Sequence, residues 1–279
     1  MRRALAQPRF AQAELTDGQI WGVPSASTYD PFDLYERGMA PHLAFANAKD
    51  PVQWHKEYGP LFGFTEAFSC TVEDFLGAQR GFVAMLNLWQ AWNRDRKDIS
   101  ECFLRAVTET GIVHLPGQTT VSGLNRDWEF EARDAPTFMR KAAKSEPNRL
   151  GVTVDGKDPY VAATEFARAS SHNDLRQAAE ELLKLALAVR LEGIQPDFHD
   201  HEGFEPTWIV REFLQACYLM LFFDMTKRKA IRNCKDCGQF FYPTSKRPQF
   251  CSKDCARRNR QRRYWKKRGK LMRKNRREG

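Results

Sequence analysis

Four of the seven cysteines fall into two pairs, Cys234-Lys-Asp-Cys237 and Cys251-Ser-Lys-Asp-Cys255, with thirteen residues between them. Two thiolates a few residues apart can take two corners of a tetrahedral metal ion, so two such pairs complete a four-sulfur zinc site. With every corner filled by protein, no position remains for an activated water, and the site is structural in character. A disulfide pairing and four unrelated buried thiols are the alternatives. Paired spacing of this kind is rare by chance, and nothing in the chain points to secretion.

The elements that must position these sulfurs follow from the neighbouring residues. Gly238 comes directly after the first pair, where a metal knuckle needs a residue tolerant of positive φ. The run Gln239-Phe-Phe-Tyr242, the Pro-bracketed segment 243–248 and Gln249-Phe250 read as a hairpin: an aromatic strand, a turn and a short return. Ser252 can cap a helix that carries Cys255 in its first turn. Knuckle, hairpin and helix together predict a treble-clef-like module. Metal binding would stabilise it by on the order of 10–16 kcal/mol, enough to fold a segment too small for a core of its own.

Beyond Cys255 the chain continues as a basic helix, with no strong breaker before Gly269. Arg257, Arg258, Arg260, Arg262, Arg263, Lys266, Lys267 and Arg268 wrap positive charge around it. Between Cys255 and Gly279 there are thirteen Lys/Arg and a single acid, whereas a merely solvated face mixes both signs. Arginine forks match phosphate oxygens bidentately and can reach a guanine edge in the major groove. Tyr264 and Trp265 could stack on bases, and packing of at least one against Phe240, Phe241 and Phe250 is the expectation.

The whole chain repeats this polarity. Residues 227–279 carry 21 Lys/Arg against three acids, a balance of +18, whereas residues 1–226 balance at −9. An end that binds polyanions is thus joined to an acidic body. The reading that follows is a zinc-dependent nucleic-acid-binding protein, with DNA favoured over RNA as partner. The alternatives are RNA, or a protein-interaction module whose basic tail docks on an acidic partner. An enzyme is not expected: no histidine follows His201, and the tail's only acids are Asp236, Asp254 and Glu278.

The first cysteine pair with Gly238 and Phe240, the Cys251-Ser252 step, and Cys255 with Asn259-Arg260 and the basic continuation resemble the CGNR zinc-finger family. Those bacterial proteins join a larger N-terminal domain, often called ABATE, to a four-cysteine finger of transcription regulators. The resemblance covers about residues 207–268 and implies DNA binding and transcription regulation. In place of Cys-Gly-Asn-Arg this chain has Cys255-Ala-Arg-Arg-Asn-Arg260.

At 279 residues the chain has length for about two domains. Residues 1–68 read as irregular structure with short helices packed on the body, because Pro8, Pro24, Pro31, Pro41, Pro51 and Pro60 interrupt any long periodicity. Residues 69–230 read as a mainly helical α+β domain, and 231–279 as the zinc finger with its basic helix and tail. Thr71-Val-Glu-Asp74 predicts a helix start, with Phe75, Phe82, Leu86 and Trp89 on its core face. Further helices are expected over 100–110, stopping at Gly111, over 171–192, and from a cap at Thr207 to about Ala230. A small β part is placed at 112–115, 128–131 and 149–163, with an Asp155-Gly156 turn before Tyr160-Val-Ala-Ala163. His199 and His201 read as part of a polar loop rather than as metal ligands. Cys70, Cys102 and Cys217 read as small buried hydrophobes. The apolar run Phe213–Phe223 is far too short to span a bilayer, so no membrane is expected, and the protein reads as cytoplasmic with room for a homodimer.

Overall fold

A computed structural model describes residues 2–4, 7–62, 70–112, 159–197, 207–244 and 249–275. It shows an α+β fold, mostly helical, with a C-terminal cluster of four cysteines. The chain divides into two compact units, Met1–Met225 and Thr226–Gly279.

The body opens with a hairpin, not the expected irregular segment. Strands β2 (Gln7–Thr16) and β3 (Gln19–Tyr29) pair antiparallel, following a short β1 (Arg2–Ala4). Asp17 and Gly18 make the two-residue connection with φ of 51° and 75°, the left-handed pair that matches strand twist in a tight hairpin. Register shifts between Pro8 and Phe10 and between Phe10 and Gln12 break the alternation that would have marked β2 as a strand. The ring of Phe10 lies over Gly22, where a Cβ would come within 2.3 Å of it.

Three short helices follow: α1 (Pro31–Glu36), α2 (Pro41–Asn47) and α3 (Pro51–Tyr58). Each has proline at its first position, where the missing N–H costs nothing and the fixed φ favours the helix. The carboxylates of Asp30 and Asp50 cap α1 and α3 by accepting from the amides of Phe32, and of Val52 and Gln53. The short helices expected here are present, and Pro31, Pro41 and Pro51 start them instead of interrupting them.

After β4 (Cys70–Thr71), helix α4 (Val72–Asn93) begins as expected, with the Thr71 hydroxyl accepting from the Asp74 amide. Phe75, Phe82, Met85, Leu86, Leu88 and Trp89 are buried along it. Helix α5 (Ile99–Thr110) ends on Gly111 in the left-handed region, as its sequence dictates. Residues 113–158, which include His114 and, apart from Ile112, every strand expected before Tyr160, lie outside the described residues. Tyr160-Val-Ala-Ala163 is not a strand: it opens helix α6 (Pro159–Ala169), again with proline at the start. Helix α7 (His172–Arg190) carries a full capping box between Ser171 and Asp174.

Strand β6 (Thr207–Ile209) occupies the expected start of the next helix. It pairs parallel with β1 and antiparallel with β5 (Gln195–Asp197). β-branched Thr207 and Ile209 around Trp208 suit a strand, and helix α8 starts later, spanning Phe213–Thr226. His199 and His201 lie outside the described residues.

The core gathers aromatic rings from α2, α3, α4 and α8. Phe45 meets Phe75 edge to face at 5.4 Å, Trp54 meets Phe213 at 5.1 Å, and Phe82 meets Tyr218 at 5.1 Å. Helix α8 is buried on nearly every side from Phe213 to Leu221, as its apolar composition requires. One polar cluster is sealed within: Tyr35 donates to Asp224 Oδ1 at 2.7 Å, and His42 Nε2 lies 2.8 Å from Asp224 Oδ2, both side chains of that pair fully buried. His55 donates from Nδ1 to the Pro51 carbonyl at 2.7 Å, and its Nε2 is a buried lone pair packed among Phe10, Trp54 and Phe75. Burial lowers its pKa to about 4, so the ring is neutral at physiological pH. The thiols of Cys70 and Cys217 are buried and that of Cys102 is half-buried. Among the described residues no helix is long and apolar enough to cross a membrane.

Candidate metal centre

In the second unit a minimal scaffold holds the four sulfurs. Strands β7 (Arg232–Asn233) and β8 (Phe240–Phe241) pair antiparallel, so the turn between them is the first cysteine pair itself. This corrects the expected hairpin: Phe240–Phe241 pairs with residues before Cys234, not with Gln249–Phe250. The Gly238 amide donates to the Cys234 carbonyl at 2.9 Å, and the Cys234 amide donates to the Gln239 carbonyl at 2.8 Å, which closes the knuckle. Gly238 takes φ of 76°, the positive value that its place in the turn requires. One backbone bond, from the Lys235 amide to the Gln249 carbonyl at 2.9 Å, ties the knuckle to the second pair.

The second pair sits at a helix start. Ser252 accepts from the Cys255 amide through its hydroxyl at 3.2 Å and from the Ala256 amide through its carbonyl at 3.2 Å. Helix α9 then runs from Lys253 to Asn275, straight through Gly269. A glycine inside a helix costs about 1 kcal/mol relative to alanine, too little to end a helix this long.

The sulfurs of Cys234, Cys237, Cys251 and Cys255 lie within 4.8 Å of one another. Cys237 and Cys251 are 3.6 Å apart and Cys251 and Cys255 are 3.5 Å apart. A tetrahedron of thiolates about 2.3 Å from a zinc ion has edges of about 3.8 Å, so the sulfurs stand near metal-holding positions and beyond disulfide bonding distance. Electrostatics point the same way. Desolvation raises the Cys234 thiol, but backbone amides of Cys237, Cys251 and Asp236 outweigh it and lower its pKa to about 6. Burial and the three neighbouring sulfurs push Cys251 up. Amides aimed at Cys234 while burial holds Cys237 and Cys251 back from ionising make a donor set suited to a cation that takes thiolates.

Around the sulfurs is a shell that the spacing of the cysteines did not reveal. Asp236, inside the first pair, has a side chain only 1% exposed. It accepts from Arg258 Nε at 2.9 Å and pairs with an Arg262 terminal nitrogen at 3.1 Å. Arg258 also reaches Cys255 Sγ at 3.0 Å. The Arg258 hydrogen bond, with both guanidinium charges behind it, holds the Asp236 carboxyl below its usual range. Two of the eight basic residues singled out on the helix therefore face the knuckle and brace it to α9. Positions 258 and 262 are one turn apart, and with an acid between Cys234 and Cys237 that spacing was the available signal.

The other six lie along the same helix. Arg257 is exposed and pairs with Asp254 at 3.2 Å. Arg260, Arg263, Lys266 and Arg268 are exposed, and Lys267 falls in α9 beside them. Tyr264 and Trp265 are both exposed, against the expectation that one packs on the aromatic strand. The knuckle reaches only the first turns of α9, and these residues come later. Lys229 instead covers a ring of the hairpin region, its Nζ 5.2 Å from the centre of Tyr242.

Comparison of the chain with protein-family models, with curated proteins and with solved structures finds no match. What the fold and the site define is an α+β body and a four-cysteine metal-binding module that starts a long basic helix.

Proposed function

We propose that this chain is a zinc-dependent nucleic-acid-binding protein that acts on DNA as a transcription regulator. One observation carries the reading: exposed Arg257, Arg260, Arg263, Lys266 and Arg268 stand on a single helix whose first turn is pinned by the metal cluster. Thiolate ligands at tetrahedral spacing suit zinc, which would be bound by Cys234, Cys237, Cys251 and Cys255 and would supply folding energy rather than chemistry. Bound metal fixes the start and direction of α9, so that its charges meet a polyanion as an ordered row. Four free thiols kept as metal ligands suit the reducing cytoplasm of a bacterium. The likeness of the finger to the CGNR family supports transcription regulation as the use of this binding. The body, with its own aromatic core, is the part that would sense a ligand or form a homodimer.

The test is anisotropy binding of the full chain to duplex DNA across a salt series, with heparin as comparator. The expected result is binding whose log K falls by roughly 0.9 per phosphate contacted for each unit of log salt, and which metal removal abolishes. Absence of binding to duplex and to single-stranded DNA alike at low salt would overturn the reading and leave α9 as a docking element for an acidic protein.

A further inference from the structure

Helix α9 outruns the module that starts it. Its 23 residues span roughly 35 Å. Asp236 engages Arg258 and Arg262 near the start, whereas Tyr264 and Trp265 beyond them are 58% and 56% exposed. Their rings meet edge to face at 5.5 Å, and the Arg268 guanidinium lies 5.7 Å from the centre of the Trp265 ring. Arg260, four residues before Tyr264, and Arg268, four after it, stand exposed on the same side of the helix.

Two adjacent large rings left in water on a strongly basic helix forgo burial that side chains of this size normally obtain. The complementary partner must carry flat apolar faces and negative charge together. Nucleobases on a phosphate backbone do. In a duplex the base faces are hidden in the stack, whereas an unpaired strand presents each of them for stacking on aromatic side chains. An acidic protein surface offers the charge without the faces.

We propose that this face of α9 binds single-stranded DNA, with Trp265 and Tyr264 stacking on unpaired bases and Arg260 and Arg268 taking the flanking phosphates. The assignment rests on the nucleic-acid reading above and narrows its target. Arg268, already over the Trp265 ring, would close on a stacked base from the side.

Anisotropy on the full, zinc-loaded chain separates the two levels of the reading. The probes are a short labelled DNA strand, its duplex, the same strand as RNA, and an abasic DNA strand of equal length. The strand with bases should bind more tightly than the duplex, the RNA and the abasic strand. Trp265→Ala should weaken strand binding roughly 5- to 150-fold, Trp265→Phe should keep most of it, and duplex affinity should move by less than about 2-fold. Because both rings are exposed, loss of folding does not confound the alanine variants, and unchanged thermal unfolding verifies this. Equal affinity for the abasic strand, wild-type behaviour of both Trp265→Ala and Tyr264→Ala, or equal losses on strand and duplex would overturn the assignment. Tighter binding of the RNA strand would overturn it in favour of RNA. Duplex binding without preference for the strand removes this proposal and leaves the broader one standing, whereas binding to no probe removes both.

Discussion

The two units of this molecule reach order by different physical routes. The body is acidic and buries a continuous set of aromatic rings, so its stability comes from apolar burial with a few sealed polar contacts. The finger is strongly basic, has ladders of two residues each, and buries little beyond Ile231, Cys234, Phe240 and Cys255. Such a unit cannot offset its chain entropy by packing, and metal ligation must supply the difference. The contrast divides the labour: the part with a core can vary its interior contacts, and the part with the charge, on the zinc reading proposed above, depends on one ion.

Removing that ion should have the largest effect. Cys255→Ser, or a strong chelator, should unfold the finger with loss of about 10–16 kcal/mol of stabilisation while the body's own unfolding transition stays within a few degrees. Calorimetry of the full chain reads both, and a body that melts with the finger would break the comparison. Next in size is Asp224→Ala. It strips Tyr35 and His42 of a fully buried carboxylate and should cost the body about 3–5 kcal/mol, with metal content unchanged. Chemical denaturation and a metal assay together check this.

A third effect depends on pH. His55 has a folded pKa of about 4, below the ordinary value of 6.5, because burial disfavours its cation. Above pH 6.5 the ring is neutral in both states, and its contribution to stability is fully present. As pH falls from 6.5 to 4 the unfolded chain takes a proton that the folded chain refuses, and about 3 kcal/mol is lost. Below 4 the loss is complete. Stability curves across this window should steepen for the wild type and flatten for His55→Gln, measured on the body's transition. The smallest predicted effect lies in the finger: Asp236→Asn should weaken metal binding about 10- to 100-fold in a chelator competition, because it releases Arg258 and Arg262 from the knuckle.

How much of this could be read in the sequence also differed between the two units. The clustering of the four cysteines, the turn at Gly238 and the cap at Ser252 were legible, because a metal-holding arrangement demands fixed residue types at short, fixed spacing. Long helices were legible where periodicity and caps agree, as at Thr71, Gly111 and Ser171. The hairpin of β2 and β3 was not. Its Asp17-Gly18 turn signal was plain, but bulges near Phe10 scrambled the alternation on the approach, and Pro8 and Pro24 argued against strands. Asp30-Pro31 and Asp50-Pro51 illustrate a different error: a cap followed by proline announces a helix of one or two turns, too short to show periodicity. Thr207 could serve as cap or strand, and pairing with both β1 and β5 decided for the strand. In the finger, the contact of Arg258 and Arg262 with an anion of the chain itself, Asp236, was not visible in the residue types. Long-range pairing of this kind has no signature in local spacing.

The central claim is that a metal ion, not a hydrophobic core, organises the basic end of the chain. Its most direct test is the metal content of the reduced, undenatured full-length protein, measured by native mass spectrometry with elemental analysis. The account predicts one zinc ion per chain, retained by the wild type and lost from Cys234→Ser and Cys255→Ser. A metal-to-chain ratio near zero in folded wild-type protein would contradict it.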